Sequence, residues 1–183
     1  GKRTILAIDG PCGSGKTTLA ALLARLYDCP VFHADDFFLR PEQRTPERFA
    51  EPGGNLDRER LLEEVLTPLR AGGPVAFRRF DCHTLTLQPP VTVAPSMLTI
   101  VEGSYCLHPE LAPMYDISVC LTISPELQRR RILTRNGEDM AKRFFDRWIP
   151  LEQTYFDAMK PQTRCGFLIE ADQLSSEVRE TSR

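Results

Sequence analysis

The sequence predicts an α/β fold, with a parallel sheet covered by helices on both faces. Three features carry that expectation. Short apolar runs of strand length recur along the chain, segments with helical periodicity separate them, and a glycine-rich turn joins the first run to the first helix. The 183 residues fit one domain, 1–183, large enough to bury a core without disulfide or metal staples.

Thr4-Ile5-Leu6-Ala7-Ile8 reads as a buried strand, and Thr17 to Tyr27 as a helix with Leu19, Leu22, Leu23 and Leu26 at helical spacing. Pro30 to Ala34 reads as a second strand running into Asp35-Asp36-Phe37-Phe38. Residues 39–56 carry Pro41, Pro46, Pro52, Gly53 and Gly54 among charges and read as a long functional loop. Asp57 has the chemistry of an N-cap for a helix from Arg58 to Ala71, which Gly72-Gly73-Pro74 closes. Val75 to Phe80 and Leu85 to Ala94 are short extended segments interrupted by Pro89-Pro90, an arm rather than central strands. Met97 to Val101, Ile117 to Ile123 and Phe167 to Ala171 read as further strands. A helix begins after Ser124-Pro125, and another, bent near Pro150, is expected from Phe144 to Met159.

Hydrophobic residues make up 42% and charged residues 26%, the balance of a soluble globular protein. A net charge of -2 supplies no global basic field, which argues against nucleic acid or a membrane surface as partner. No apolar run approaches the roughly 20 residues of a membrane helix. The N-terminus shows no signal-peptide pattern, and its opening at Gly1 rather than Met leaves room for an upstream segment. The cysteines Cys12, Cys29, Cys82, Cys106, Cys120 and Cys165 are scattered without metal-ligand spacing, which suits free thiols in a reducing cytoplasm.

Gly10-Pro11-Cys12-Gly13-Ser14-Gly15-Lys16-Thr17 matches G-x-x-x-x-G-K-[ST] in full, between a strand and a helix. Such a P-loop wraps a phosphate so that successive backbone N–H groups point inward, and the following helix aims its positive end at the same anion. The expected ATP-binding set is residues 10–17 together with Thr18 and Arg135. Lys16 reaches the β- and γ-phosphates, and the Thr17 hydroxyl ligates magnesium. Neither the guanine signature N-K-x-D nor the transporter signature L-S-G-G-Q occurs.

Asp35 and Glu102 each follow a predicted strand, at the sheet edge where ligands bind. Asp35 there accepts a proton from an attacking hydroxyl, and Glu102 suits magnesium or its waters. Asp36, adjacent on an extended segment, is expected to face the other way. Of Arg129-Arg130-Arg131 and Arg135, only one or two can face the site at 100° per residue, and Arg131 with Arg135 shares a face. His33, His108, Trp148 and Tyr155 read as structural residues. A helix dipole would lower the pKa of Cys12, but the residue reads first as a small side chain that fits the turn.

These pieces, in this order from Ile5 to about Met159, resemble the uridine kinase branch of the P-loop kinases, which includes nicotinamide riboside kinases and phosphoribulokinases. The resemblance implies a three-layer P-loop NTPase sandwich with five parallel strands and a helical lid at about 125–147. It implies ATP with magnesium and phosphoryl transfer to a small-molecule hydroxyl, a uridine or cytidine first, as in nucleoside salvage, and leaves a homo-oligomer open. His33-Ala34-Asp35-Asp36-Phe37-Phe38 is similar to the segment that holds the catalytic base, which maps to Asp35. Asn55-Leu56-Asp57 resembles the Asn-Phe-Asp segment whose aspartate holds ribose hydroxyls, which maps to Asp57. Ile100-Val101-Glu102-Gly103 resembles the apolar-Glu-Gly strand end, and Arg131 aligns with a catalytic arginine at the phosphates. Phe38, Arg79, His83 and Tyr105 complete the implied acceptor set. Phe80-Asp81-Cys82-His83 departs from the pyrimidine-reading pattern, with histidine two rather than four residues after the aspartate and cysteine in place of a stacking phenylalanine. Asp35-Asp36-Phe37-Phe38 is closer to the nicotinamide riboside kinases.

Overall fold

The structure, a computed structural model, describes residues 3–173. Strand β1 (Thr4–Asp9) leads through the glycine-rich turn into helix α1 (Lys16–Tyr27), and β2 (Val31–His33) follows. Gly15 holds φ 106° just before α1, a conformation only glycine adopts without strain, so the turn feeds straight into the helix. Asp35 and Asp36 lie in a 3₁₀ turn, Ala34–Phe37, and not on an extended segment as the sequence suggested. They diverge because a 3₁₀ turn rotates successive side chains by about 120°.

Residues 39–56 contain more structure than a loop. Thr45 accepts a hydrogen bond from the Arg48 N–H and starts a short helix, α2 (Pro46–Ala50), with Pro46 in its first turn. Proline stabilises that position because its missing N–H has no partner there in any case. Phe38 pairs with Leu56 in an antiparallel bridge, tying the two ends of the segment together. Helix α3 spans residues 58–71, with a π segment at Leu62–Leu66 and Asp57 as its cap.

The expected arm is present as two small antiparallel pairs, β3 (Val75–Phe77) with β6 (Val91–Val93) and β4 (Phe80–Asp81) with β5 (Thr86–Leu87). Then come β7 (Leu98–Glu102), β8 (Ile117–Thr122), α4 (Pro125–Arg143), a π segment Phe144–Trp148, α5 (Ile149–Met159) and β9 (Phe167–Glu170). The central sheet has the order β2-β7-β1-β8-β9, and every neighbouring pair is parallel. Buried apolar residues cover both of its faces. Phe32, Phe37, Leu61, Phe77 and Tyr155 pack in one layer, and Leu6, Ile8, Ala20 and Ile100 in another. The near-continuous apolar runs that read as strands follow from this two-sided burial. No described helix is long and apolar enough to cross a membrane.

Two irregularities shape the segment after β8. Gly137, at φ 71° and ψ 171°, interrupts α4. Farther on, the π segment precedes α5, whose second residue is Pro150. The irregularity expected at Pro150 is thus a widened turn just before it.

Candidate active site

The carboxyl ends of β1, β2 and β7 open on one edge of the sheet, and each contributes a functional group. His33 pairs in register with Glu102, and Ile8 pairs with Glu102 from the other side. A cavity of about 990 Å³ opens there.

On the nucleotide side, Lys16 is buried, and its Nζ donates to the carbonyls of Gly10 at 2.7 Å and Pro11 at 3.0 Å. Ser14 Oγ is buried within the turn without a hydrogen-bond partner. A polyphosphate would supply acceptors to that hydroxyl and to the lysine, so the turn fits the ligand its sequence implies. Thr17 Oγ1 donates to Glu102 Oε1 at 3.0 Å. A hydroxyl beside a carboxylate is an oxygen donor set that suits magnesium, which keeps several waters and needs few protein ligands. His33 Nδ1 lies 2.5 Å from the same Glu102 oxygen, and that carboxylate raises the imidazole above its ordinary value.

From α4, Arg131 donates to the carbonyls of Gly13 at 3.0 Å and Ser14 at 3.2 Å, and Gln128 Nε2 donates to that of Cys12 at 2.9 Å. Arg131 and Arg135 both line the cavity, whereas Arg129 and Arg130 are exposed and stand outside it. Cys12 does not behave as the helix dipole alone predicts. Burial, reinforced by Glu152, pushes its thiol above the ordinary range.

Asp35 is exposed and lines the cavity. Enclosure raises its carboxyl above the ordinary carboxylate value, an effect that Lys16 opposes. Asp36 lies off the cavity and pairs with Arg79 at 3.5 Å. Of the implied acceptor residues, Phe38, His83 and Tyr105 line the cavity with Asp35 and Arg131, whereas Asp57 and Arg79 do not. Asp57 is buried. Its Oδ1 accepts from the Arg60 N–H to cap α3, and its Oδ2 sits 3.9 Å from Arg40 Nε. Gly10 and Pro11 stand behind the cavity wall, while residues 12–18 form it.

Four residues of the site were not singled out for it from the sequence. Trp148 was read as core. It lines the cavity and stacks on Phe38 with ring centroids 6.4 Å apart. Glu152 accepts from the Cys12 N–H at 2.9 Å and from Ser104 Oγ at 2.7 Å, joining α5 to the P-loop. Asn55 is buried on the cavity wall. Asp9 is fully buried and accepts from the N–H groups of Gly10, Tyr105 and Leu107 and from the Tyr155 hydroxyl at 2.7 Å. The one available signal for Asp9 was a carboxylate at the end of an otherwise apolar strand.

Burial raises the Asp9 carboxyl from 3.8 to about 6. In the unfolded chain the group ionises near its ordinary value, so its contribution to stability is full below about 4 and declines as pH rises through about 6. Asp9→Asn places an amide N–H₂ among donors and is expected to destabilise the fold by about 1–3 kcal/mol at pH 7. Urea denaturation at several pH values checks both points. The advantage of wild type over the variant grows as pH is lowered from about 6 toward 4, and it is flat above 7.

No protein-family model matches the chain. It is 29% identical over 122 residues, 66% of its length, to uridine-cytidine kinase D of Dictyostelium discoideum, and spans 24% of that relative. Its fold is similar to a structure described as a possible uridine kinase from Bacillus stearothermophilus. There the TM-score is 0.71 at 25% identity, covering 92% of this chain and 89% of that one. D-glycerate 3-kinase from Cryptococcus neoformans shares the fold alone, with a TM-score of 0.54 at 15% identity over 85% of this chain and 80% of that one. The chain has the P-loop kinase fold and resembles the uridine kinases.

Proposed function

We propose that the protein is an ATP-dependent phosphotransferase acting on a hydroxyl of a nucleoside, with uridine or cytidine first in line. The observation that carries this reading is one continuous cavity walled by the P-loop at one end and by Asp35 and an aromatic pair at the other. A nucleotide sensor needs the first end and has no use for a carboxylate facing a second compartment. The uridine-cytidine kinase relative and the similar possible uridine kinase support the nucleoside as acceptor class. Six free thiols suit a reducing cytoplasm, where ATP is supplied.

The chain's own groups divide the work. Backbone N–H groups of Gly13 and residues 15–18, with Lys16, Arg131 and Arg135, hold the polyphosphate, and Thr17 with Glu102 holds magnesium. ATP supplies the phosphoryl group, and the metal offsets the negative charge on its oxygens. Asp35 accepts the proton of the attacking hydroxyl, and the cavity aromatics Phe38 and Trp148 give a base a flat face to lie on. Closure of the lid over residues 125–147 excludes water, which protects ATP from hydrolysis.

An ADP-release assay across uridine, cytidine, nicotinamide riboside and simple sugars tests the reading, with the product identified by mass. Acceptor-dependent ADP release with a pyrimidine nucleoside is expected. Release with another riboside or a sugar alone corrects the acceptor and keeps the phosphotransferase. ATP binding without stimulation by any acceptor overturns the reading.

A further inference from the structure

We propose that Glu152 is a positioning residue for phosphoryl transfer, a brace that sets the P-loop against the acceptor end of the cavity. This role rests on the phosphotransferase reading above. Glu152 lies on α5, is 6% exposed, and has both carboxylate oxygens engaged. Oε2 accepts the Cys12 N–H at 2.9 Å, and Oε1 accepts the Ser104 hydroxyl at 2.7 Å. The same Ser104 oxygen stands 3.0 Å from the Gly10 carbonyl and 3.4 Å from Lys16 Nζ. Lys16 donates to that carbonyl as well, so serine, lysine and carbonyl form one cluster held against α5. A single side chain thus joins residues 140 and 48 positions away in sequence.

The brace bears on the reaction because of what else α5 holds. Trp148, of the acceptor wall, stands directly ahead of α5 and four residues, about one helical turn, before Glu152. Three residues after Glu152, the Tyr155 hydroxyl donates to Asp9 at 2.7 Å, and Asp9 accepts the Gly10 N–H at 2.6 Å. The P-loop is therefore fastened to α5 at its entry, through Asp9, and again at Cys12, through Glu152. The spacing between the phosphates and the acceptor is set along one helix. Transfer is sensitive to that spacing, since a misplacement of about 1 Å can cost on the order of 10²-fold in rate. The Cys12 N–H is committed to Glu152, and the phosphates meet the N–H groups of Gly13 and residues 15–18 instead. Loss of Glu152 leaves those donors in place, so it disturbs alignment more than affinity.

The experiment compares Glu152→Leu with Glu152→Gln on the best acceptor of the panel, with kcat normalised to the folded fraction. Glutamine keeps the brace. Its oxygen accepts the Cys12 N–H, and its amide donates to Ser104, whose hydroxyl turns to the Gly10 carbonyl. Leucine makes neither bond. Glu152→Leu is expected to lower kcat by about 10–100-fold with both substrates saturating. Its Kd for MgATP, measured by calorimetry, stays close to wild type, and Glu152→Gln restores most of the turnover. A glutamine variant as slow as the leucine one overturns the role, because charge and not the two bonds then carries the effect. A raised Kd for MgATP with kcat unchanged also overturns it. If the leucine variant does not fold, Ser104→Ala removes one of the two bonds. There kcat is expected to fall about three- to tenfold, the contribution of one hydrogen bond, and wild-type kcat overturns the role. A wild type that phosphorylates no acceptor overturns the phosphotransferase reading and this role together. An active wild type with an equally active leucine variant overturns this role alone.

Discussion

Asp35→Asn is expected to bind ATP nearly as wild type does and to turn over roughly 10²–10⁴-fold more slowly, the usual contribution of a positioned base. The substitution keeps the shape and removes the proton acceptor from the cavity wall. Asp36→Asn is the control, because that side chain lies off the cavity beside Arg79 and its loss leaves turnover close to wild type. Single-turnover measurements on both variants, with thermal melts to exclude general damage, check the contrast. Since enclosure raises the Asp35 carboxyl, the acidic limb of the wild-type rate profile lies above the ordinary carboxylate range, with activity falling as pH drops through it. Full activity of both variants on every acceptor would remove Asp35 from the reaction.

Lys16→Ala is expected to lower kcat by at least about 10²–10³-fold at saturating ATP, because it removes the cation placed for the β- and γ-phosphates. Lys16 also acts on its surroundings. Its charge holds down the carboxyls of both Asp35 and Asp9. In the variant both carboxyls rise, so the residual activity carries an acidic limb displaced to higher pH. Turnover near wild type in Lys16→Ala, measured with saturating ATP and magnesium, shows that the glycine-rich turn is not the reaction centre.

The nucleotide end was legible in the sequence because it is contiguous. Eight consecutive residues, a strand and a helix determine its geometry without help from distant parts of the chain. Asp35 and Glu102 were legible for a related reason, since strand ends in a parallel sheet point toward ligands. The acceptor end was harder. Asn55, Trp148 and Glu152 reach the cavity wall only through tertiary packing, and each has ordinary neighbours in sequence. Trp148 shows how a periodicity argument fails. Seven residues from Tyr155 amounts to about two helical turns and implies a shared core face. Tyr155 is buried in the core, whereas Trp148, at the end of the π segment Phe144–Trp148, lies on the cavity wall. In residues 39–56 the prolines read as breakers, yet Pro46 begins α2. Position relative to the cap decides which of the two a proline does.

The break at Gly137 has a consequence for cooperativity between the two substrates. The half of α4 before it carries Arg131 and Arg135, and the π segment beyond it carries Arg147 and Trp148, all four on the cavity wall. A continuous helix would pass any tilt from one end to the other. Among the contacts that bridge Gly137 are two guanidinium–ring pairs, Arg135 on Phe144 at 5.5 Å and Arg129 on Phe145 at 4.5 Å. Contacts of this kind at exposed positions are worth about 0.5–1 kcal/mol each. These two contacts alone can transmit a mutual enhancement of affinity of roughly fivefold to thirtyfold.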